Sequence, residues 1–306
     1  MSAPRKIPAR LLAPRWWPTW LGLALLRALI LLPIPVALAM GAALGTLFGL
    51  LARGRRHVVD VNLRLCLPQL GERERRKLAD AHFRDLGRGV VEAALTWWAP
   101  DARLASRITI EGREHLEAAR ATGRGIVILT GHFTTLEIGA RAVFLAGGLP
   151  FHAMYRPYSN AVMDFFMRGW RAERSGLPAI PREDLRAIAR ALREGRAVWF
   201  APDQTLKGRE RVFAPFFGVP AATITATSRL AAIGRAVVLP YMPERRGARW
   251  VLRFSAHFEN FPSADDAADT TRVLAAIETG ARAALPQYFW LHRRFKRRPP
   301  GMERVY

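Results

Sequence analysis

Two side chains have the types and spacing to do chemistry together: His132 and, five residues on, Glu137. A neutral imidazole can take a proton from a hydroxyl, and a carboxylate behind it fixes the tautomer and stabilises the imidazolium that forms. Such a pair needs no nucleophilic side chain, because the hydroxyl of the substrate attacks. Of the seven histidines, only His132 has an acid at the fifth position. The same residues also carry a structural reading. Thr134-x-x-Glu137 has the spacing of a capping box, the ordinary device for opening a helix. The two readings separate on Glu137→Ala, which removes turnover in the first and mainly stability in the second.

The elements around His132 favour the chemical reading. Ile126 to Leu129 is an apolar, β-branched run with the pattern of a buried strand. It stops at Thr130-Gly131, and a helical pattern takes over from Thr134. A strand, a sharp turn and a helix lift a side chain out at the carboxyl edge of a sheet, where α/β folds place their sites. Two more strands end in polar residues. Phe151 to Pro157 carries Arg156, whose guanidinium suits a phosphate or the carbonyl region of an acyl donor, although a surface arginine is ordinary in so basic a protein. Ala197 to Phe200 runs into Ala201-Pro202-Asp203-Gln204-Thr205, followed by a loop made basic by Lys207, Arg209 and Arg211.

Further strands are expected at Ile108 to Ile110, at Val237 to Tyr241 (broken at Pro240 and Pro243) and at Trp250 to His257. Helices are expected through Leu116, around Phe165 to Arg174 and from Pro181 to Glu194. This alternation predicts an α/β domain with a central, mostly parallel or mixed sheet flanked by helices. There is no internal repeat, no glycine fingerprint for a nucleotide and no metal-ligand spacing, so neither cofactor nor metal is indicated. Cys66, the one cysteine, lies among Leu63, Leu65 and Leu67 and reads as a small core residue.

The 306 residues carry a formal net charge of +22, which fits nucleic acid, an anionic membrane, or acidic substrates and carrier proteins as partners. The amino terminus narrows the choice. Arg5, Lys6, Arg10 and Arg15 precede Trp16, Trp17 and Trp20, and from Leu21 to Ala52 the sole charge is Arg27. Residues 1–52 are expected to anchor the chain in a membrane, spanning or partly inserted, with a helix starting near Pro35. Arginines flank both ends of the segment, so the positive-inside rule leaves its orientation open. Residues 53–306 follow as the catalytic domain. They open with helices over 53–100, one of them amphipathic after Gly71, that end at Trp97-Trp98, a pair suited either to lipid or to a core.

The chain resembles the late acyltransferases of lipid A biosynthesis, members of a wider group of lipid acyltransferases sharing an H-x4-[DE] motif. The resemblance covers nearly the whole length. It rests on the apolar amino terminus, Asn62-Leu63-x-x-Cys66-x-Pro68 with Glu72-Arg73, Gly131-His132-Phe133 through Glu137-Ile138-Gly139-Ala140-Arg141, Tyr155-Arg156-Pro157, Ala201-Pro202-Asp203-Gln204, and Gln287-Tyr288-x-Trp290-Leu291-His292-Arg293-Arg294-Phe295-Lys296. It implies His132 as general base with Glu137 as its orienting acid, and Arg156, Asp203 and Arg293 as substrate-binding residues.

It further implies an acyl chain carried as a thioester on acyl carrier protein, and a 3-hydroxyacyl hydroxyl of a Kdo-bearing lipid A precursor as acceptor. The implied setting is the inner membrane and its phospholipid, with the catalytic domain facing the cytoplasm and no nucleic acid bound. Two alternatives remain. One is the same chemistry on another glycolipid or an amino lipid. The other is a basic protein that binds nucleic acid or membrane without catalysis, recognisable by steeply salt-dependent DNA binding.

Overall fold

The computed structural model describes residues 7–205 and 211–306. Arg5, Lys6, Lys207 and Arg209, counted above among the basic residues, lie outside the described residues. The chain begins with helices α1 (Trp17–Leu29), α2 (Ile34–Leu51), α3 (Arg53–Cys66), α4 (Glu72–Trp98) and α5 (Asp101–Ala105). Pro33 and Pro35 divide the apolar segment rather than kink it. Pro33 is the N-cap of α2 and Pro35 sits in its first turn, where a missing N–H is harmless.

All 18 residues of α2 are uncharged, a length of about 27 Å against the roughly 30 Å of a bilayer's hydrocarbon core. It is not bare all round, however. One face packs along α4 on a seam of small residues, and a Cβ at Gly45 would collide with the carbonyl oxygen of Phe83. The other face is bare: Met40, Leu44, Leu47 and Leu51 are exposed, as are Trp17, Leu21 and Leu25 of α1. Trp97 is buried by stacking on Trp170, ring centroids 4.5 Å apart, and Trp98 meets the same indole edge-on, so this pair belongs to a core.

The remainder alternates: β1 (Ile108–Glu111), α6 (Arg113–Ala121), β2 (Ile126–Leu129), α7 (Leu136–Leu145), β3 (Phe151–Tyr155), α8 (Ala161–Ser175), β4 (Ile180–Pro181), α9 (Leu185–Arg193) and β5 (Ala197–Phe200). There follow the hairpin β6 (Arg211–Phe216) and β7 (Val219–Ile224), α10 (Ala226–Gly234), β8 (Val237–Arg246), β9 (Arg249–Phe254) and α11 (Asp266–Ala283). Seven strands form one sheet in the order β1-β9-β8-β2-β5-β3-β4, and β6-β7 stand apart. Every pairing in the large sheet is parallel except β8 with β9. β2 and β5, fully buried, occupy its middle, which is why both read as unbroken apolar runs.

The expected break of β8 at Pro240 and Pro243 does not occur; the strand runs on to Arg246. Pro240 stands opposite Leu129 at the end of the parallel pairing with β2, and Pro243 lies in the stretch paired antiparallel with β9. β8 therefore trades partners between its two halves, and the prolines fall around that exchange. The helices α10 and α11 and the β6-β7 hairpin were not among the elements expected from the sequence.

Candidate active site

Because β2 and β5 are parallel neighbours, their carboxyl ends emerge side by side, and each runs on into a polar loop. The backbone N–H of Thr130 still donates to Phe200 at 3.0 Å. Gly131 then turns the chain so tightly that a Cβ there would lie 2.6 Å from Ile277 and 3.4 Å from the carboxylate of Asp203. His132 follows, with its backbone N–H donating to Asp203 Oδ2 at 2.9 Å and its Nδ1 lying 2.5 Å from Asp203 Oδ1. Asp203 is fully buried, and Tyr288 donates its hydroxyl to the same Oδ2 at 3.0 Å. Burial opposes the aspartate charge. The adjoining His132, its two hydrogen bonds and the nearby Arg294 outweigh that and hold the carboxyl down to about 2.

The carboxy-terminal segment clamps this turn from outside the sheet. Phe133 and Tyr288 form an antiparallel bridge, Phe289 N–H donates to His132 O at 2.9 Å, and Thr134 N–H donates to Gln287 O at 2.7 Å. Gln287 is itself fixed by a reciprocal pair of side-chain hydrogen bonds with the backbone of Arg245, at 2.8 and 2.9 Å. Arg245 is buried in an ion-pair cluster with Asp85 (2.6 Å) and Glu92 (2.9 Å) of α4.

Two further residues set the loop that carries Asp203. His292 Nε2 accepts from the backbone N–H of Thr205 at 3.0 Å, and burial together with Arg294 pushes the imidazole down to about 4, so it is neutral as an acceptor must be. Arg294 donates to Ala222 O, Thr223 Oγ1 and Thr205 Oγ1, at 2.8, 2.6 and 3.3 Å.

Glu137 is elsewhere. It sits in the first turn of α7, but its carboxylate pairs with Arg171 of α8 at 2.6 Å, and the partner of His132 is Asp203. The capping box is not formed either. The N-cap of α7 is Thr135, with no side-chain cap bond, and the buried hydroxyl of Thr134 has no partner among the described residues. Arg141, on the same helix, is buried and caps the end of α4 through the carbonyls of Leu95, Thr96 and Ala99, at 2.9, 3.0 and 2.7 Å.

Arg156 is exposed on the rim of an open cleft of about 710 Å³ that His132, Leu136, Tyr155, Arg171 and Arg182 also line. Arg293 is exposed, its guanidinium 5.9 Å from the ring centroid of Tyr306, and does not line the cleft; the arginine turned inward is its neighbour Arg294. Tyr288, Arg294 and Arg171 were given no individual role from the sequence. Tyr288 and Arg294 lie in the segment that carries the resemblance, whereas Arg171 is one basic residue among 47. Among the described residues, no group of three or more His, Cys, Asp or Glu could hold a metal ion.

With Nδ1 bound to Asp203, Nε2 is the nitrogen His132 has for the cleft. An imidazole held in this way can take a proton from a substrate hydroxyl. Residues 5–297 match the family described as bacterial lipid A biosynthesis acyltransferase, and the chain belongs to it. It is 38% identical over 305 residues to the lipid A biosynthesis lauroyltransferase of Escherichia coli K12, covering 98% of both chains. It is 35% identical to the palmitoleoyltransferase of the same organism, again over 98% of both, and 26% identical to its myristoyltransferase over 94% of this chain and 90% of that one.

Proposed function

We propose that this enzyme transfers a fatty acyl chain from acyl carrier protein to a 3-hydroxyacyl hydroxyl of a Kdo-bearing lipid A precursor, a late step of lipid A assembly. The observation that carries the reading is the buried Asp203 against Nδ1 of His132 at the floor of a cleft ringed by arginines. In the resting state the proton sits on Nδ1 and points to Asp203, leaving the Nε2 lone pair for the substrate. The acceptor hydroxyl gives its proton to Nε2 as its oxygen attacks the thioester carbonyl. The tetrahedral intermediate collapses, the C–S bond breaks, and the departing sulfur takes the proton back from the imidazolium. Asp203 stays ionised throughout and stabilises that imidazolium.

Arg156, Arg171 and Arg182 give the cleft a positive field suited to a phosphorylated lipid and an acidic carrier. Glu137 acts here through Arg171: the ion pair fixes the guanidinium at the wall of the cleft, where it can fork onto an anionic oxygen. Glu137 thereby remains a site residue, one step removed from the base.

The enzyme sits in one leaflet of the inner membrane with its catalytic domain in the cytoplasm. Support comes from α2, whose bare face suits lipid while its other face is committed to α4, a helix with Arg84 exposed and Asp85 and Arg88 ion-paired. A lipid-surrounded span would carry those charges into hydrocarbon with it. An interfacial position brings the acceptor to the cleft by lateral diffusion.

The test is transfer of a labelled acyl chain from acyl carrier protein to the Kdo-bearing precursor in detergent, wild type beside His132→Ala. Product in the first and its loss in the second is expected. A folded wild type that leaves this acceptor untouched but acylates another glycolipid would move the reading to that acceptor.

A further inference from the structure

Asp203 Oδ2 receives two hydrogen bonds, one from the backbone of His132 and one from the hydroxyl of Tyr288, while Oδ1 faces Nδ1. The backbone donor belongs to the turn and is always present. The phenol is a choice of side chain, and it comes from the far end of the chain. Its ring is wedged edge-on against Phe133 and Trp290, with centroids 5.7 and 4.9 Å away, and tilted on Phe216 at 5.4 Å. The bridge from Phe133 to Tyr288 and the bond from Phe289 N–H to His132 O fix its backbone to the turn it serves. The hydroxyl is thus aimed from a rigid platform at the one carboxylate that holds the base.

We propose that Tyr288 is a positioning residue of this active site: its hydroxyl keeps the Asp203 carboxylate turned so that Oδ1 meets Nδ1, and it sets how strongly that carboxylate holds the imidazolium. A hydrogen bond donated to Oδ2 draws negative charge away from Oδ1. Without it, more charge rests on Oδ1, the imidazolium is favoured, and His132 protonates at higher pH. The other groups facing the pair are Arg294 and His292 of the carboxy-terminal segment, Cys66 of α3, and, across the cleft, Arg156, Tyr158, Arg182 and Arg171, the last ion-paired with Glu137. None of them donates a hydrogen bond to Asp203. His292 and Cys66 are neutral, because burial holds the imidazole down and pushes the thiol up. The inference rests on His132 being the base of the reaction proposed above.

Two substitutions test it. Tyr288→Phe removes the hydroxyl and keeps the packed ring; 3-fluorotyrosine at 288 keeps the ring and makes the hydroxyl a stronger donor. The readouts are the titration of His132 by 15N NMR in detergent, assigned by the signal lost in His132→Ala, and the pH dependence of acyl transfer. The expected result is that Tyr288→Phe raises the His132 midpoint, moves the acidic limb of kcat/KM with it and lowers kcat roughly ten- to hundredfold, with KM for the lipid unchanged. Fluorotyrosine moves midpoint and limb the other way. If the Phe variant does not fold, the fluorotyrosine shift decides alone. Midpoints that stay fixed, with at most a lower melting temperature, would overturn the proposal. Midpoints that move in a protein without acyl transfer would support it and sink the acyl-transfer reading separately.

Discussion

Asp203 Oδ1 lies 2.5 Å from Nδ1 of His132 although 71 residues separate them, whereas Glu137, five residues from His132, is ion-paired 2.6 Å away with Arg171. The two carboxylates therefore have different work. One meets the imidazole of His132; the other holds a cation at the wall of the cleft.

This division predicts how Glu137 and Arg171 fail. Glu137→Gln and Arg171→Met should each reduce kcat/KM, and the double variant should lose no more than the worse single one, because each residue acts through the other. Turnover across pH should keep its acidic limb where the wild type has it, since His132 and Asp203 are untouched. Losses that multiply in the double variant would show that Glu137 contributes independently of Arg171.

The α2–α4 seam makes a prediction about stability and membrane binding together. Gly45→Leu forces a side chain into the backbone of α4 near Phe83, where nothing flexible can yield. Destabilisation of about 2 kcal/mol or more is expected from overpacking at this site, seen as a lower melting temperature in detergent and weaker partition into vesicles. Met40→Ser on the bare face should instead weaken partition and leave the melting temperature alone.

Acid should destabilise the fold in two steps. Burial drives His82 down to about 4 from its ordinary 6.5, so its neutral form stabilises the fold fully above pH 6.5. That contribution, about 3 kcal/mol, is lost as pH falls from 6.5 through 4. Asp203, held at about 2 against an ordinary 3.8, keeps its contribution above pH 3.8 and loses it only below that. Melting temperature measured against pH should flatten between 6.5 and 4 in His82→Gln, and an unchanged slope there would refute this source of acid sensitivity.

Much of the fold is legible in the residues themselves. The apolar runs at Ile126 and Ala197 mark the central strands because both faces of each are buried, and the polar residues that follow mark the edge where the site lies. Pro240 misleads, since a strand exchanging a parallel for an antiparallel partner can hold a proline that an ordinary ladder position could not. The partner of His132 is hidden for a different reason. Spacing along a chain reports only local neighbours, and Glu137 is the local one, while Asp203 is adjacent because β2 and β5 pair in register. The segment that carries Asp203 marks it as a site residue, yet the orienting role proposed for it depends on topology. Tyr288 and Arg294 enter through the closing segment, whose folding back over the turn at His132 no local pattern shows.

The central claim is that His132 and Asp203 act as one unit, and a single-turnover comparison tests it most directly. Acyl transfer would be followed in wild type, His132→Ala, Asp203→Asn and the double variant, each checked for folding. The account predicts losses of about 10²–10⁴-fold in both single variants and no further loss in the double, since a unit once broken is not broken twice. Near-wild-type turnover in Asp203→Asn, or losses that multiply, would contradict it and return the orienting role to Glu137.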